Sequence, residues 1–272
     1  MEHGIISKEF FIGRYIYITK MLKDLPEAVF NHEGEIPLIA VWSFDPETGK
    51  KHRDRRIRES NPEYAKLKEI ALKRLYLEKL LRITLKNWSM EHSGNLGVIA
   101  SEYTIIPNMD CIYDSTMWMK LKNNSNKFEK ERSVMHNGIL MRSQFEADVA
   151  NILEELGIEY KYEVGLTFNS DTYYPDFAMN FPEYNRCSFL EALGGMDNFG
   201  YVGHNGKKLN AYFNSGLYPN RDIAFISGDY NYRPDHDTMK RIIGVMLDAM
   251  ARQYVVKKTD RVERRRTVSI TV

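Results

Sequence analysis

The stretch YYPDFAMNFPEYNRCSFLEAL, residues 173–193, sets Asp176 at the end of one apolar run and Glu191 inside the next. A carboxylate among Tyr, Phe and Leu is costly unless it is paired, hydrogen-bonded or bound to a cation. Carboxylates at the ends of adjacent strands can converge on a divalent ion, and hard oxygen ligands suit magnesium. Such an ion polarises a phosphodiester, lowers the pKa of an attacking water and stabilises the charge of in-line displacement. Asp176 and Glu191 are therefore candidate ligands in metal-assisted phosphodiester hydrolysis, with Mg²⁺ the expected ion and Mn²⁺ a substitute. The histidines offer no rival centre: His52, His92, His136, His204 and His236 stand singly, with no pair at ligand spacing. A second Pro-Asp, Pro234-Asp235, precedes a helical pattern and reads as a turn and cap.

Around the two acids, Phe145, Val149, Ile152, Leu153 and Leu156 recur at helical spacing and Gly157 supplies a stop, which leaves Glu146 near the helix start. Three strand-like runs follow, EYKYEVGLTF, TYYPDFAM and CSFLEAL, then a helix from about Phe199 to Asn214 and a buried strand at DIAFIS. A last helix turns Met239, Ile242, Ile243, Met246 and Met250 inward. Upstream, SKEFFIGRYIYITKMLKDLPEAVF has the pattern of a helix, IPLIAVWSF that of a strand, and Asn61-Pro62 opens a long helix carrying Leu67, Ile70, Leu77, Leu81, Leu85 and Trp88. Polar, asparagine-rich KLKNNSNKFEKERSVMHNG reads as a connection and places a boundary near residue 130. The expected class is α/β (α+β), with a mixed, helix-rich region over 1–130, a core over 131–230, and a C-terminal helix and tail over 231–272.

The chain has 272 residues, 43% hydrophobic and 12% aromatic, enough for a sizeable core. Two cysteines, Cys111 and Cys187, are too few for a disulfide framework or a multi-cysteine zinc site, and imply reduced thiols in a cytoplasmic, intracellular protein. No apolar run approaches the roughly 20 residues that span a bilayer, so no membrane association is expected. Net charge is only +1, but it is unevenly spread: residues 50–86 hold 13 Lys or Arg against 5 Asp or Glu. The basic residues Lys50, Lys51, Arg53, Arg55, Arg56 and Arg58 cluster there, and Arg264, Arg265 and Arg266 in the tail. A solvated helix face and a frayed terminus are the ordinary readings of such runs; flanking a phosphodiester-cutting centre, they read as backbone contacts to nucleic acid.

The ordered blocks resemble the PD-(D/E)XK nuclease superfamily, the fold of many restriction endonucleases, and in particular its phage and bacterial branches. The resemblance covers roughly residues 138–230. RSQFEADVANILEELGIEYKYE is similar to the opening helix and strand, YYPDF to the first acidic motif and FLEALGGMDN to the second. KKLNAYFNSGLYPNRDIAFIS is similar to the following helix, turn and last strand. It implies a core of helix, three strands, helix and strand, with Asp176 and Glu191 as metal-binding catalytic acids. Glu146 then matches a helix acid that completes the metal site or holds its water shell, beside its ordinary reading as an exposed helix-start carboxylate.

One position departs: Leu193 stands where the motif has lysine. The next helix offers Lys207 and Lys208, and Lys208 shares a face with Tyr212 four residues on, so a lysine moved to that helix is preferred to a lost one. Gln144 is a minor candidate for contact with phosphate or water. Tyr162 reads as packing and Glu163 as an edge feature.

The function implied is a Mg²⁺-dependent DNA endonuclease of a phage, mobile-element or defence setting. A homodimer, or a partner protein from that setting, fits such a duplex cutter. Two other readings stay open: a catalytically inactive nucleic-acid-binding protein of the same fold, and an assembly protein in which the acidic pair is a relic.

Overall fold

The structure is a computed structural model and describes residues 4–106, 113–126, 133–168, 170–195, 197–229 and 231–260. The chain is mixed α/β and divides into two compact units, one of residues 14–86 and one of residues 1–13 with 87–272. The boundary expected near residue 130 thus falls inside the larger unit. The tail arginines Arg264, Arg265 and Arg266, and Cys111, lie outside the described residues. No helix among the described residues is long and apolar enough to cross a membrane.

The smaller unit holds most of helix α1 (Lys8–Asp24), strands β1 (Glu27–Glu33), β2 (Ile36–Phe44) and β3 (Lys51–Arg58), and most of helix α2 (Tyr64–Glu91). The first helix stops before Pro26, which has no amide hydrogen to continue it, so Glu27 to Phe30 are strand instead of the helix expected of them. The three strands form an antiparallel sheet in chain order. One face of it buries Ala28, Ile39, Val41 and Ile57 against Tyr64, Leu67 and Ala71 of α2. Of the basic run, Lys51–Arg58 is β3, whereas Lys66, Lys68, Lys73, Lys79 and Lys86 stand exposed on α2.

The larger unit continues with α3 (Leu96–Ala100), β4 (Tyr103–Ile105), α4 (Ser115–Lys120), β5 (Val134–His136), β6 (Ile139–Met141), α5 (Gln144–Glu155), β7 (Glu159–Tyr162), β8 (Leu166–Phe168) and β9 (Asp171–Tyr173). Then come β10 (Phe177–Phe181), a 3-10 turn (Pro182–Tyr184), β11 (Arg186–Leu193), α6 (Phe199–Asn214), β12 (Ile223–Ser227), α7 (His236–Tyr254) and β13 (Val255–Lys257). Its central sheet has the order β12-β11-β10-β7, antiparallel except for β11 and β12, which run parallel with α6 between them. All eight residues of β11 are buried, as a central strand covered on both faces requires. The first two of the three strand-like runs are each broken in two. Glu163, at φ 44°, turns the chain out of β7, Pro175 separates β9 from β10, and β8 and β9 pair as a separate hairpin.

Trp118 of α4 and Tyr212 of α6 pack on one face of this sheet with Ala178, Cys187, Phe189 and Ile223. The described part of the polar connection is not loose: Asn123 accepts from Tyr162 N at 2.7 Å, and Asn124 N and Ser125 N donate to the carbonyls of Tyr162 and Glu163. Asp235 caps α7 by accepting from Thr238 N at 2.7 Å.

Candidate active site

Phe177 of β10 pairs with Leu190 of β11, so the next residues along the two antiparallel strands, Asp176 and Glu191, stand opposite each other. Period-2 alternation puts both on the sheet face that Ala178 and Phe189 share with α6. Asp176 Oδ2 accepts from Ala192 N at 2.7 Å, and the two carboxyls are within hydrogen-bonding reach of each other. Glu191 is 1% exposed, whereas Asp176 keeps a partial opening to solvent.

Helix α6 closes over Glu191. Lys208 Nζ lies 2.8 Å from both carboxylate oxygens, and Tyr212 OH donates to Oε1 at 2.5 Å. The i, i+4 spacing aims the two side chains at one acceptor. Burial is the first cause of the upward shift of both acids. It pushes Asp176 to about 8, with Glu191's charge adding and Lys208 opposing. Glu191 is also raised, against the opposing pull of Lys208 and Tyr212. Burial and the Glu191 charge push the Tyr212 phenol above its ordinary range, so it remains a donor.

Glu146 enters from α5. It is 6% exposed, not the exposed carboxylate of the ordinary reading. Its Oε2 accepts from Tyr162 OH at 2.5 Å and Arg142 N at 3.0 Å, and its Oε1 from Ser143 Oγ at 3.1 Å. Ser143 in turn accepts from Glu146 N at 3.2 Å, a reciprocal cap at the start of α5. Burial, then the charge of Asp176, raises Glu146 to about 7. Electrostatics therefore couples Glu146 to Asp176, yet no group of three or more His, Cys, Asp or Glu that could hold a metal ion occurs among the described residues. What the structure holds together is the pair.

Gln144 is exposed, donates to Asp148 at 2.8 Å, and accepts from Arg233 on its carbonyl. Lys207 is exposed and lines a cleft of about 310 Å³ with Phe168, Tyr173, Asn210 and Asn214. Leu193, at the motif's lysine position, is 6% exposed. In the smaller unit Lys50, Lys51, Arg53, Arg55, Arg56 and Arg58 are all exposed.

Glu163 is a site residue that sequence reasoning misjudged. It is 2% exposed, pairs through Oε1 with Arg142 Nε, accepts from Asn126 at 3.0 Å, and adds negative charge beside Asp176. Its amide donates to Asp176 O at 2.9 Å. Its left-handed backbone, worth on the order of 1 kcal/mol of strain for a non-glycine residue, is held by these contacts. Alternation along YKYE carried no signal of this, because Arg142 meets Glu163 only through the fold. Tyr162 is fully buried, but its hydroxyl holds Glu146, so it does more than pack.

Chemically, the site offers adjacent acids that resist ionisation, a lysine over one of them, and two protonated phenols. Comparison with protein-family models, with curated proteins and with solved structures gives no match to this chain.

Proposed function

We propose that the protein is a metal-dependent nuclease that hydrolyses phosphodiester bonds at Asp176 and Glu191, acting as an endonuclease on DNA. The observation that carries this reading is the facing pair itself. Two carboxyls side by side in an apolar setting repel when ionised, and a divalent cation relieves that repulsion as a proton would. The donor set fits Mg²⁺, which takes one or two carboxylates and completes its octahedron with waters and substrate phosphate. Asp176 and Glu191 would hold it, and Mn²⁺ would substitute. When bound, the ion supplies Lewis acidity to the phosphate and acidifies a water.

The remaining roles fall to the chain's own groups. Tyr212 fixes the rotamer of Glu191. Lys208 Nζ places a cation at the strand ends, where it orients a water or stabilises charge developing on a phosphate oxygen. The order α5, β7, β10, β11, α6, β12, with the last two strands parallel, supports a restriction-endonuclease-like core. A second reading, an inactive nucleic-acid-binding protein of the same fold, is favoured by one observation: the Lys208 ion pair already satisfies Glu191 without a metal.

The deciding experiment is a cleavage panel of single- and double-stranded DNA and RNA with Mg²⁺ or Mn²⁺, comparing wild type with Asp176→Asn and Glu191→Gln. Wild type cuts and both variants do not. If no substrate is cut with either metal, the inactive reading replaces this one. Cutting that persists in both variants places the activity elsewhere.

A further inference from the structure

The outer face of the β1-β2-β3 sheet has an arrangement that cutting chemistry does not require. On a regular strand, side chains two apart share a face, so Lys51 and Arg53 would point away from Arg56 and Arg58. Register is instead shifted within β3. Lys51 pairs with Phe44 and Arg53 with Trp42, but the next pairs are Arg55 with Val41, Arg56 with Ala40 and Arg58 with Leu38. Asp54 is the extra residue of a bulge, and its insertion reverses the alternation. Lys51, Arg53, Arg56 and Arg58 therefore all stand on the face opposite Ile39, Val41 and Ile57, which pack on α2.

Two carboxylates of β1 share this face. Lys51 pairs with Glu27, and Glu33 takes Arg56 at 3.0 Å and Arg58 at 2.9 Å, each pair reaching across the central strand, where Leu38 and Ala40 are buried. Four cations against these two anions leave an excess of two positive charges. Arg53 has no carboxylate partner among the described residues; it and Lys51 lie against the Trp42 ring, at 5.9 and 4.9 Å from its centroid. The basic side chains stay open to solvent, 40% exposed for Lys51, 44% for Arg56 and 58% for Arg58.

We propose that this face docks on double-stranded DNA, its arginines on the phosphates. The inference rests on the nuclease reading only in taking DNA as the polymer. One lysine and three arginines held along roughly 20 Å of strand suit a regular phosphate array, because the guanidinium fork matches phosphate oxygens and the sheet holds the spacing. A single strand would call for aromatic faces on which bases stack. Here Lys51 and Arg53 cover Trp42, and Phe44 stands alone at the end of β2. The face is three strands wide and its cations meet phosphates, so the choice of DNA over duplex RNA comes from the nuclease reading and not from the sheet. Glu27 and Glu33 compete with phosphate for the same cations, so they set the affinity below what the arginines alone would give.

The test uses the full chain carrying Asp176→Asn, with EDTA, and measures binding of a labelled 20-base-pair DNA over a salt series against single-stranded DNA and duplex RNA. Arg53→Gln, which has no ion pair to lose, should weaken duplex binding and lower the salt slope by about 0.9. Adding Arg56→Gln and Arg58→Gln should weaken it about tenfold or more and lower the slope by about 2–3. Glu33→Gln should tighten binding several-fold, a gain that structural damage does not produce. Unchanged affinity and slope in both arginine variants would overturn the proposal, as would tighter binding of single-stranded DNA or duplex RNA than of duplex DNA. Wild type that binds through the sheet but cuts nothing would sink the nuclease reading alone. Wild type that cuts while its binding ignores the sheet would sink this one alone.

Discussion

Asp176 and Glu191 face each other from neighbouring antiparallel strands, one step beyond the Phe177–Leu190 pair, with the Lys208 ammonium over the second carboxylate and the Ala192 amide donating to the first. The arrangement is unfavourable when both acids are ionised. Each acid is desolvated, each feels the other, and one lysine serves both. The cost is concentrated where a divalent ion would remove it.

The first prediction concerns pH and metal. Asp176 is raised from 3.8 to about 8 and Glu146 from 4.5 to about 7. An acid whose folded pKa is raised binds its proton more tightly when folded, so its contribution to stability is full below the unfolded pKa and is lost as pH rises through the folded one. Metal-free Asp176→Asn, which keeps the Ala192 hydrogen bond and drops the charge, should match wild type near pH 4. It should then melt progressively higher than wild type up to pH 8, by a few degrees. Mg²⁺ should raise the melting temperature of wild type, more at pH 8 than at pH 5, and leave Asp176→Asn unmoved. A melting difference independent of pH would show that Asp176 is not the strained group.

The second separates Lys208 from Lys207. Lys208 lowers the pKa of both acids, so Lys208→Met should slow cutting on the order of a hundredfold and also move the acid limb of metal binding to higher pH. Lys207→Met, exposed on the cleft with Phe168 and Tyr173, should leave that limb in place and cut within a few-fold of wild type. Equal effects of the two changes on rate and pH profile would remove Lys208 from the site.

The third concerns Glu146, whose oxygens are held by Tyr162, Arg142 and Ser143. If it orders the water shell of the ion, Glu146→Gln should lose about 10–100-fold in metal affinity, measured by titration of Mn²⁺, with Tyr162→Phe smaller in the same direction. Unchanged Mn²⁺ affinity together with a lower melting temperature would reduce Glu146 to a helix cap.

Much of this was legible in the sequence, for physical reasons that vary along the chain. The α5 stripe of Phe145, Val149, Ile152 and Leu153 repeats because it faces a core, and β10 and β11 read as nearly continuous apolar runs because both of their faces are buried. Asp176 and Glu191 stand out because acids among apolar residues need a cause. Lys208 and Tyr212 are tied by helical spacing alone. The rest depends on partners distant in sequence. Nothing in YKYE announces that Glu163 is buried against Arg142, twenty-one residues away. The breaks at Glu163 and Pro175 are backbone events that hydrophobic periodicity passes over. The bulge at Asp54 changes which arginines share a face, and only the strand register discloses it.

The last prediction tests whether the opposite end of β11 is scaffold. Arg186 opens that strand and is 3% exposed. It pairs with Asp222, donates to Tyr254 OH at 2.8 Å, and reaches the Arg221 carbonyl at 3.2 Å. Asp222, 2% exposed, also accepts from Arg221 and from Tyr218 N. Five residues of strand, roughly 17 Å, separate Arg186 from Glu191. Breaking a buried pair from one side leaves a charge uncompensated and costs about 3–5 kcal/mol. Asp222→Asn keeps the shape and the acceptor for Tyr218 but strands the Arg186 guanidinium, so denaturant unfolding should show a loss of that size. Arg186→Met is milder, because Arg221 still neutralises Asp222. Below its melting transition, Asp222→Asn should cut at the wild-type rate per folded molecule, with an unchanged metal requirement. A large loss of cutting in a variant that remains folded would mean that this end of the strand helps set the geometry of Asp176 and Glu191, and that the pair is not positioned by its own end of the sheet alone.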